Sequence, residues 1–192
     1  SSASELVTEI VQYFDDKIKL NAIEANAMLA GLTMDTKNFT FKTGVRTFEA
    51  ASYLRRAGAD PTSVLQLFQD DMETYTARAE TVKNARMIMP GIVLSQCPRG
   101  IENAALIAAQ AADELLTIRG ITASFVLAEI EGDVIISGRS LGNINVQIIL
   151  EKLGGGGHMS IAGAQLEGIT LDEASAMVVE ALTEYLREGE EK

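Results

Sequence analysis

A chain of 192 residues is long enough to bury a hydrophobic core and suits one or two domains. Apolar residues make up 47% and charged residues 22%, which is typical of a globular protein, and no apolar run approaches the roughly 20 residues of a membrane-spanning helix. The formal net charge of −11 argues against binding a long nucleic acid, which requires clustered Lys and Arg, but it is compatible with a small phosphorylated ligand held by a few arginines.

The single cysteine, Cys97, excludes a disulfide framework and a cysteine-rich metal site in this sequence. Because a chain without disulfides is typical of a reducing compartment, we expect a cytoplasmic protein in which Cys97 is a buried thiol at the end of a strand. The sequence starts at Ser1, without an initiating Met or a signal-peptide pattern. We therefore expect a fragment of a longer protein.

Helical periodicity dominates the first part of the chain. The sequence predicts helices over 3–18, 21–31 and 45–57, another from 61 onward, and a charged, solvated helix over 71–86. Ser2 and Glu5 form a capping-box pattern, and Gly31 stands where a helix typically ends. Asp60 before Pro61 is typical of a helix N-terminus.

Strands and helices alternate in the second part. The sequence predicts strands over 91–95, 124–130, 134–137 and 164–168, and helices over 102–116, 145–153 and 170–187. A turn at 131–133 joins two of these strands as a hairpin, so the predicted fold class is mixed α/β (α+β): a helical first part, then a mixed β-sheet flanked by helices. We place domains over about 1–80 and 84–190.

The segment Gly154-Gly155-Gly156-Gly157-His158 is not typical of a hydrophobic core. Glycine costs roughly 0.5–1 kcal/mol relative to alanine in regular structure, but it allows positive φ and lets a ligand approach backbone N–H groups. The imidazole of His158 can donate a hydrogen bond to a phosphate oxygen or transfer a proton. We interpret the segment as a phosphate or nucleotide site in a loop directly after a helix; a flexible linker is the alternative.

A second polar segment follows the predicted strand 134–137. An arginine offers a planar fork to a phosphate, and serine and asparagine offer neutral hydrogen bonds. The segment supplies four candidate ligand-binding side chains: Ser137, Arg139, Ser140 and Asn143. Alone, it could equally be a solvated loop. Together with the nearby glycines, it predicts a shared anion pocket in which Arg139 lies within side-chain reach of His158.

Asp35 lies in a polar, turn-like segment over 32–39. A carboxylate on a tight loop between helices can bind a divalent metal, but one carboxylate is not a metal site, and no histidine lies near it in sequence. The favoured interpretation from the residues alone is that Asp35 caps its own turn through an Asx hydrogen bond.

Several blocks of the sequence resemble a known family. The segment 154–163, preceded by Ile-Ser-Gly-Arg-Ser at 136–140 and Asn-Val-Gln at 145–147, resembles the C-terminal substrate-binding domain of the DHH phosphoesterase superfamily. The first part resembles the end of a catalytic DHH domain. The blocks at 4–9, 31–39 and 44–51 are similar to the branch of cyclic-di-AMP phosphodiesterases, and the resemblance covers nearly the whole chain.

This resemblance implies a phosphodiesterase in which two manganese ions activate water and neutralise charge. It implies that Asp35 corresponds to the last carboxylate ligand of the metal cluster. It also implies that Arg139 and the segment Gly156–His158 hold the substrate phosphate and nucleotide, and we count the adjacent Gly155 among the binding residues. The family's other metal ligands lie in motifs upstream, and this sequence has no Asp-His-His motif and only one His. We therefore expect an incomplete metal cluster and little or no activity in this chain alone.

The partner expected from the resemblance is a small nucleotide substrate, with no membrane contact by this chain. The parent protein would be anchored at the cytoplasmic face of a membrane, since whole members of the branch carry membrane-spanning and sensory segments. The oligomeric state stays open, a homodimer included. Two alternatives remain: an enzyme of the same superfamily acting on oligonucleotides, single-stranded nucleic acid or polyphosphate, and a non-catalytic nucleotide-sensing module.

Overall fold

The structure is a computed structural model that describes residues 2–14, 18–41 and 43–190. The chain divides into two compact units, Ser1–Asp70 and Asp71–Lys192. Within the described ranges, no helix is both long enough and apolar enough to cross a membrane.

The first unit is helical in its described residues. Its helices are α1 (Ala3–Phe14), α2 (Ala22–Asp35), α3 (Val45–Arg56) and α4 (Pro61–Gln66). Asp60 caps α4 as expected, since its Oδ2 accepts a hydrogen bond from Ser63 N at 3.0 Å. The capping box predicted at α1 is half formed. Glu5 N donates to Ser2 Oγ at 3.0 Å, but the Glu5 carboxylate accepts from Thr47 of α3 instead. The end of the helix predicted over 3–18 falls partly on residues 15–17, outside the described residues.

Helix α2 extends beyond its predicted end. Gly31 was expected to end this helix, but the helix continues to Asp35. A Cβ atom on Gly31 would lie 3.3 Å from Ser4 Cβ and closer still to Ser4 Oγ. The glycine is therefore explained by the close approach of α1 to α2, because a side chain at this position would require Ser4 to move.

The second unit contains a sheet and four helices in its described residues. Its elements are α5 (Met72–Lys83), β1 (Arg86–Met89), β2 (Ile92–Gln96), α6 (Ala104–Leu115), β3 (Ala123–Ile130), β4 (Asp133–Ser140), α7 (Val146–Glu151), β5 (Gly156–His158), β6 (Ile161–Leu166) and α8 (Leu171–Glu190). Helix α5, which the sequence assigned to the first domain, packs through Ala77 into the same core cluster as α6. The capping box at Thr170 and Glu173 is formed in both directions and opens α8.

The sheet has the strand order β1-β2-β3-β4-β6-β5, with β2 and β3 parallel and every other neighbouring pair antiparallel. The predicted fold class, a mixed sheet flanked by helices, is therefore confirmed. Helices α7 and α8 bury one side of the sheet around Phe125, Ile136 and Leu150. Helices α5 and α6 cover β2, β3 and β4 on the other side, around Val93 and Val126.

The strands differ from the predictions in two places that matter for the site. Strand β4 was predicted to end at 137, but it continues to Ser140 because β3 pairs with it as far as Ser140 and β6 pairs with it as far as Arg139. The segment 154–158 was predicted as a loop. Its last three residues instead form β5, the edge strand that pairs with β6. Both corrections place predicted site residues inside the sheet.

Candidate functional site

Arg139 and His158 lie in one row across the sheet. Arg139 of β4 pairs with Ile161 of β6, and Ile161 also pairs with His158 of β5. Directly opposed residues of antiparallel strands point to the same face, and two strand spacings separate their Cα atoms by about 10 Å. The row therefore carries a guanidinium at one end and an imidazole at the other, on one side of the sheet.

Contacts with α6 identify which side this is. Arg139 Nε donates to Asp113 Oδ2 of α6 at 3.2 Å. Ser124, the partner of Arg139 on β3, donates from its Oγ to Ala112 O at 2.7 Å. Toward β6 and β5 the same side is open, since the side chain of Ile161 is 52% exposed and His158 is exposed.

Three of the four consecutive glycines are explained by the fold. Gly154, with φ +76°, ends α7, and its N–H donates to Glu151 O at 3.0 Å. A Cβ on Gly155 would lie 2.7 Å from Ala164 Cβ and still closer to the backbone of β6. Gly157 has φ +151°, and a Cβ there would lie 2.6 Å from Ala162 Cα. These three positions require glycine for the turn and for the close pairing of β5 with β6.

Gly156 and its register partner Gly163 have no such explanation. A Cβ on Gly156 would meet nothing within 4 Å, and one on Gly163 would lie 3.4 Å from Ile136 O, an ordinary contact. Neither residue is among those with positive φ. The two glycines instead leave bare backbone in the middle of the open side of the sheet, where a ligand could approach it closely.

We call this surface the glycine platform. It consists of Ser137, Arg139, Gly156, His158, Ile161 and Gly163. Ser137 pairs with Gly163, so the bare backbone has a hydroxyl on one flank and the row of Arg139 and His158 on another. The platform combines a cation, an imidazole and a hydroxyl around accessible backbone, which is a chemistry suited to an anionic ligand.

The polar groups of the platform are only partly used within the protein. Arg139 donates from Nη1 to Gly138 O at 3.0 Å and from Nε to Asp113, while its Nη2 has no hydrogen-bond partner among the described residues. The hydroxyl of Ser137 and the imidazole of His158 likewise make no hydrogen bond to any described residue. Ser137 is 8% exposed and the Arg139 side chain 12% exposed, whereas His158 is exposed, so the imidazole is the most accessible of these groups.

The structure does not bring Ser140 or Asn143 to the platform. Alternation along β4 turns Ser140 to the opposite side, where its Oγ accepts from Gly142 N at 3.0 Å and Ile144 N at 3.3 Å. Asn143 is exposed and lines a cleft with Tyr185 of α8. Both residues lie at the connection from β4 to α7, so their positions suit a role in that turn.

Asp35 belongs to the first unit and is exposed at the last position of α2. Its carboxylate makes no hydrogen bond to a described residue, so the expected Asx bond is not present. A negative charge at the C-terminus of a helix is unfavourable because it faces the negative end of the helix dipole.

The backbone just after Asp35 is strained. Three consecutive residues, Lys37, Asn38 and Phe39, have left-handed φ values of 46°, 57° and 62°. Strain of this kind concentrates at functional sites.

The described residues do not fit a complete manganese site. Across 2–14, 18–41 and 43–190, no three side chains of His, Cys, Asp or Glu come together to hold a metal ion. Asp35 alone offers a divalent ion one carboxylate, which is too few ligands to replace its water shell.

A cavity of about 450 Å³ lies elsewhere, inside the first unit. Apolar side chains line most of it, among them Leu29, Phe39 and Phe68. Its arginine, Arg55, donates from Nη1 to Ala59 O at 2.6 Å. Unlike the glycine platform, this cavity is mostly apolar and has no histidine in its lining.

Sequence reasoning missed three residues that the structure brings to the site. Ile161 and Gly163 are exposed and alternate with the buried Ala162 and Ala164 along β6, but all four are apolar or glycine, so hydropathy did not distinguish the two faces of the strand. Asp113 gave no signal, because nothing in the sequence of α6 distinguishes it from the adjacent Glu114.

The chain is similar in sequence to part of two longer proteins that are named as phosphodiesterases. It is 45% identical over 190 residues to the cyclic-di-AMP phosphodiesterase GdpP of Geobacillus thermodenitrificans. The aligned region covers 98% of this chain and 29% of that protein. It is 46% identical over 186 residues to the cyclic-di-AMP phosphodiesterase PdeA of Listeria monocytogenes, covering 96% of this chain and 28% of that protein. The chain thus spans less than a third of the length of these relatives.

The fold has a solved counterpart. An exopolyphosphatase-related protein from Bacteroides fragilis matches 95% of this chain and 56% of its own, with a TM-score of 0.81 and 21% sequence identity. At that identity the likeness concerns the fold alone. Residues 91–188, just over half of the chain, match the model of the DHHA1 domain. The chain therefore belongs to the DHHA1 domain family.

Proposed function

We propose that this chain is the substrate-binding part of a manganese-dependent phosphodiesterase that hydrolyses cyclic-di-AMP. The observation that carries the proposal is the glycine platform, where Arg139 and His158 flank backbone that nothing in the fold requires to be glycine. Support for the substrate comes from the two relatives, both named as cyclic-di-AMP phosphodiesterases, since they are 45% and 46% identical over nearly the whole chain.

We assign the ligand-binding role of each residue from the hydrogen-bonding groups that have no partner among the described residues. Arg139 donates from Nη2 to a phosphate oxygen, and the Ser137 hydroxyl donates to the same or the adjacent oxygen. His158 binds the phosphate from the other end of the row. Gly156 and Gly163 let the nucleotide lie against the sheet, because no side chain stands in its way. Gly155 and Gly157 act indirectly, by allowing β5 to hold His158 in place.

Asp35 has a separate role in the proposal. As the resemblance implies, it contributes one carboxylate to a metal cluster completed by residues outside this chain. Manganese bound there would supply an activated water and neutralise charge. In the whole enzyme, Asp35→Asn is expected to abolish turnover while leaving the affinity for cyclic-di-AMP largely unchanged. An unchanged kcat would contradict the metal assignment and return Asp35 to a structural role.

The test of the platform is a titration of the 192-residue chain with cyclic-di-AMP. The wild-type chain is expected to bind it, and Arg139→Ala and His158→Ala are expected to weaken binding. Each loses a hydrogen bond to a charged group, which contributes about 1.5–3 kcal/mol, and this corresponds to roughly 10- to 150-fold in affinity. Arg187→Ala is the matched control, because Arg187 is an exposed arginine on α8, which packs on the other side of the sheet.

Other ligands separate the rival functions. A single-stranded oligonucleotide and inorganic polyphosphate are titrated in parallel with cyclic-di-AMP. Binding of either ligand in preference to cyclic-di-AMP would replace the proposed substrate with that class. Hydrolysis by the whole protein distinguishes an enzyme from a nucleotide sensor. If the wild-type chain bound none of these ligands, or if Arg139→Ala bound cyclic-di-AMP as well as wild type, the platform would not be the binding site.

A further inference from the structure

We propose that Asp113 of α6 is a positioning residue for Arg139. It holds the guanidinium in the orientation that receives the ligand phosphate. The inference rests on the proposed function, because it assigns a further residue to the same site. Asp113 itself does not need to touch the ligand.

The contact between the two side chains is direct. Arg139 Nε donates to Asp113 Oδ2 at 3.2 Å, and Nη1 donates to Gly138 O at 3.0 Å. These two bonds fix the plane of the guanidinium and leave Nη2 free among the described residues. The Arg139 side chain is only 12% exposed, so it lies against the protein, whereas Asp113 is 42% exposed.

Helix α6 is anchored to the sheet at the same point. Ser124 is fully buried and donates to Ala112 O at 2.7 Å, and its register partner is Arg139. Two neighbouring residues of α6, Ala112 and Asp113, therefore contact two paired residues of β3 and β4. Because the helix backbone is fixed beside Asp113, the carboxylate can hold the guanidinium before a ligand arrives, which lowers the entropy lost on binding.

The charge of Asp113 acts in the opposite direction. A carboxylate beside a phosphate site repels the ligand, so it favours binding only through the hydrogen bond that orients Arg139. An asparagine keeps an oxygen that can accept from Nε and removes the negative charge. An alanine removes both. The two substitutions therefore separate orientation from charge.

The experiment is a titration of the 192-residue chain and its variants with cyclic-di-AMP. Asp113→Ala is expected to weaken binding by about tenfold, as loss of a supporting partner does at other preorganised sites. Asp113→Asn is expected to bind within about threefold of wild type, because the acceptor for Nε remains. In an Arg139→Ala background, Asp113→Ala is expected to change affinity by less than about twofold, since the residue acts through Arg139.

Glu114→Ala is the matched control. Glu114 is the next carboxylate on α6 and is 49% exposed, but it pairs with Arg78 at 3.3 Å instead of Arg139. Its loss is expected to leave affinity unchanged. Thermal unfolding of every variant shows whether α6 remains packed.

Three results would overturn the inference. They are wild-type or stronger binding by Asp113→Ala, an equal loss in Asp113→Asn, and a further loss when Asp113→Ala is added to Arg139→Ala. The proposed function fails separately, if the wild-type chain does not bind cyclic-di-AMP or Arg139→Ala binds it normally.

Discussion

Gly156 and Gly163 are register partners on the open side of the sheet, and neither needs to be glycine for the strands to pair. Gly155 and Gly157, on either side of Gly156, are glycine because a Cβ would collide with β6. The segment therefore combines two kinds of glycine. One kind builds the edge of the sheet, and the other leaves its surface bare.

Gly156→Ala is expected to separate these roles. The free energy of unfolding should stay the same or rise by up to about 1 kcal/mol, because alanine loses less backbone entropy than glycine in a strand. Affinity for cyclic-di-AMP should fall by about tenfold, since a methyl group would stand where the ligand lies. Chemical denaturation and ligand titration on one sample measure both quantities.

Gly155→Ala is the control for this prediction. Its Cβ would lie 2.7 Å from Ala164 Cβ, so β5 or β6 must shift. We expect a loss of about 1–3 kcal/mol in the free energy of unfolding. Equal destabilisation by both substitutions, or wild-type affinity in Gly156→Ala, would contradict the distinction.

Removal of the Asp35 carboxylate is expected to stabilise the chain slightly. The group makes no hydrogen bond to a described residue and lies at the C-terminus of α2. Asp35→Ala should therefore raise the free energy of unfolding by about 0.3–1 kcal/mol at low ionic strength, because it removes an unfavourable interaction with the helix dipole. Urea denaturation at low and high salt measures the effect, which salt should reduce. A loss of 1 kcal/mol or more would show that the carboxylate stabilises the fold and would contradict this prediction.

The chain is expected to bind manganese only weakly. The described residues bring no three potential ligand side chains together, and one exposed carboxylate adds little to a hydrated ion. Isothermal titration calorimetry should show no stoichiometric site with submicromolar affinity. Such a site, if lost in Asp35→Ala, would mean that the ligand set is present in this chain.

Cys97 is expected to react slowly with iodoacetamide in the folded chain. The thiol is only 4% exposed, and burial raises its pKa. The alkylation rate of the folded chain should be lower than the rate in denaturant by about tenfold, because the thiolate is the reactive form. The folded pKa lies above that of the unfolded thiol. The contribution of Cys97 to stability is therefore complete below the unfolded pKa and is lost as the pH rises through the folded one. Equal alkylation rates in the folded and denatured states would contradict the protection of the Cys97 thiol by burial.

Local patterns in the sequence predicted the elements that local physics determines. The capping box at Thr170 and Glu173 marks the start of α8, and the turn 131–133 joins β3 to β4 as expected. Gly31 misled the prediction because a glycine that allows two helices to approach closely has the same local signature as one that ends a helix. The short edge strand β1 was missed because its four residues lack alternation.

The sequence predicted the residue types of the candidate site but not the strand register that arranges them. Arg139 and His158 were both identified, and their common row depends on the register of β6 between them. Register between distant strands is a tertiary property, so the sequence could not predict that Ile161 would lie beside Arg139. Ser140 faces away from Arg139 through alternation within β4, and this was missed because the strand was predicted to end at 137. The contact of Asp113 with Arg139 depends on where α6 crosses the sheet.

Binding of cyclic-di-AMP on the glycine platform can be tested directly by an NMR titration of the isotopically labelled 192-residue chain with this ligand. The largest chemical-shift changes are expected at Ser137, Arg139, Gly156, His158 and Gly163. Saturable changes confined to another surface, such as the cavity beside Phe39 and Arg55, or no saturable change at all, would contradict it.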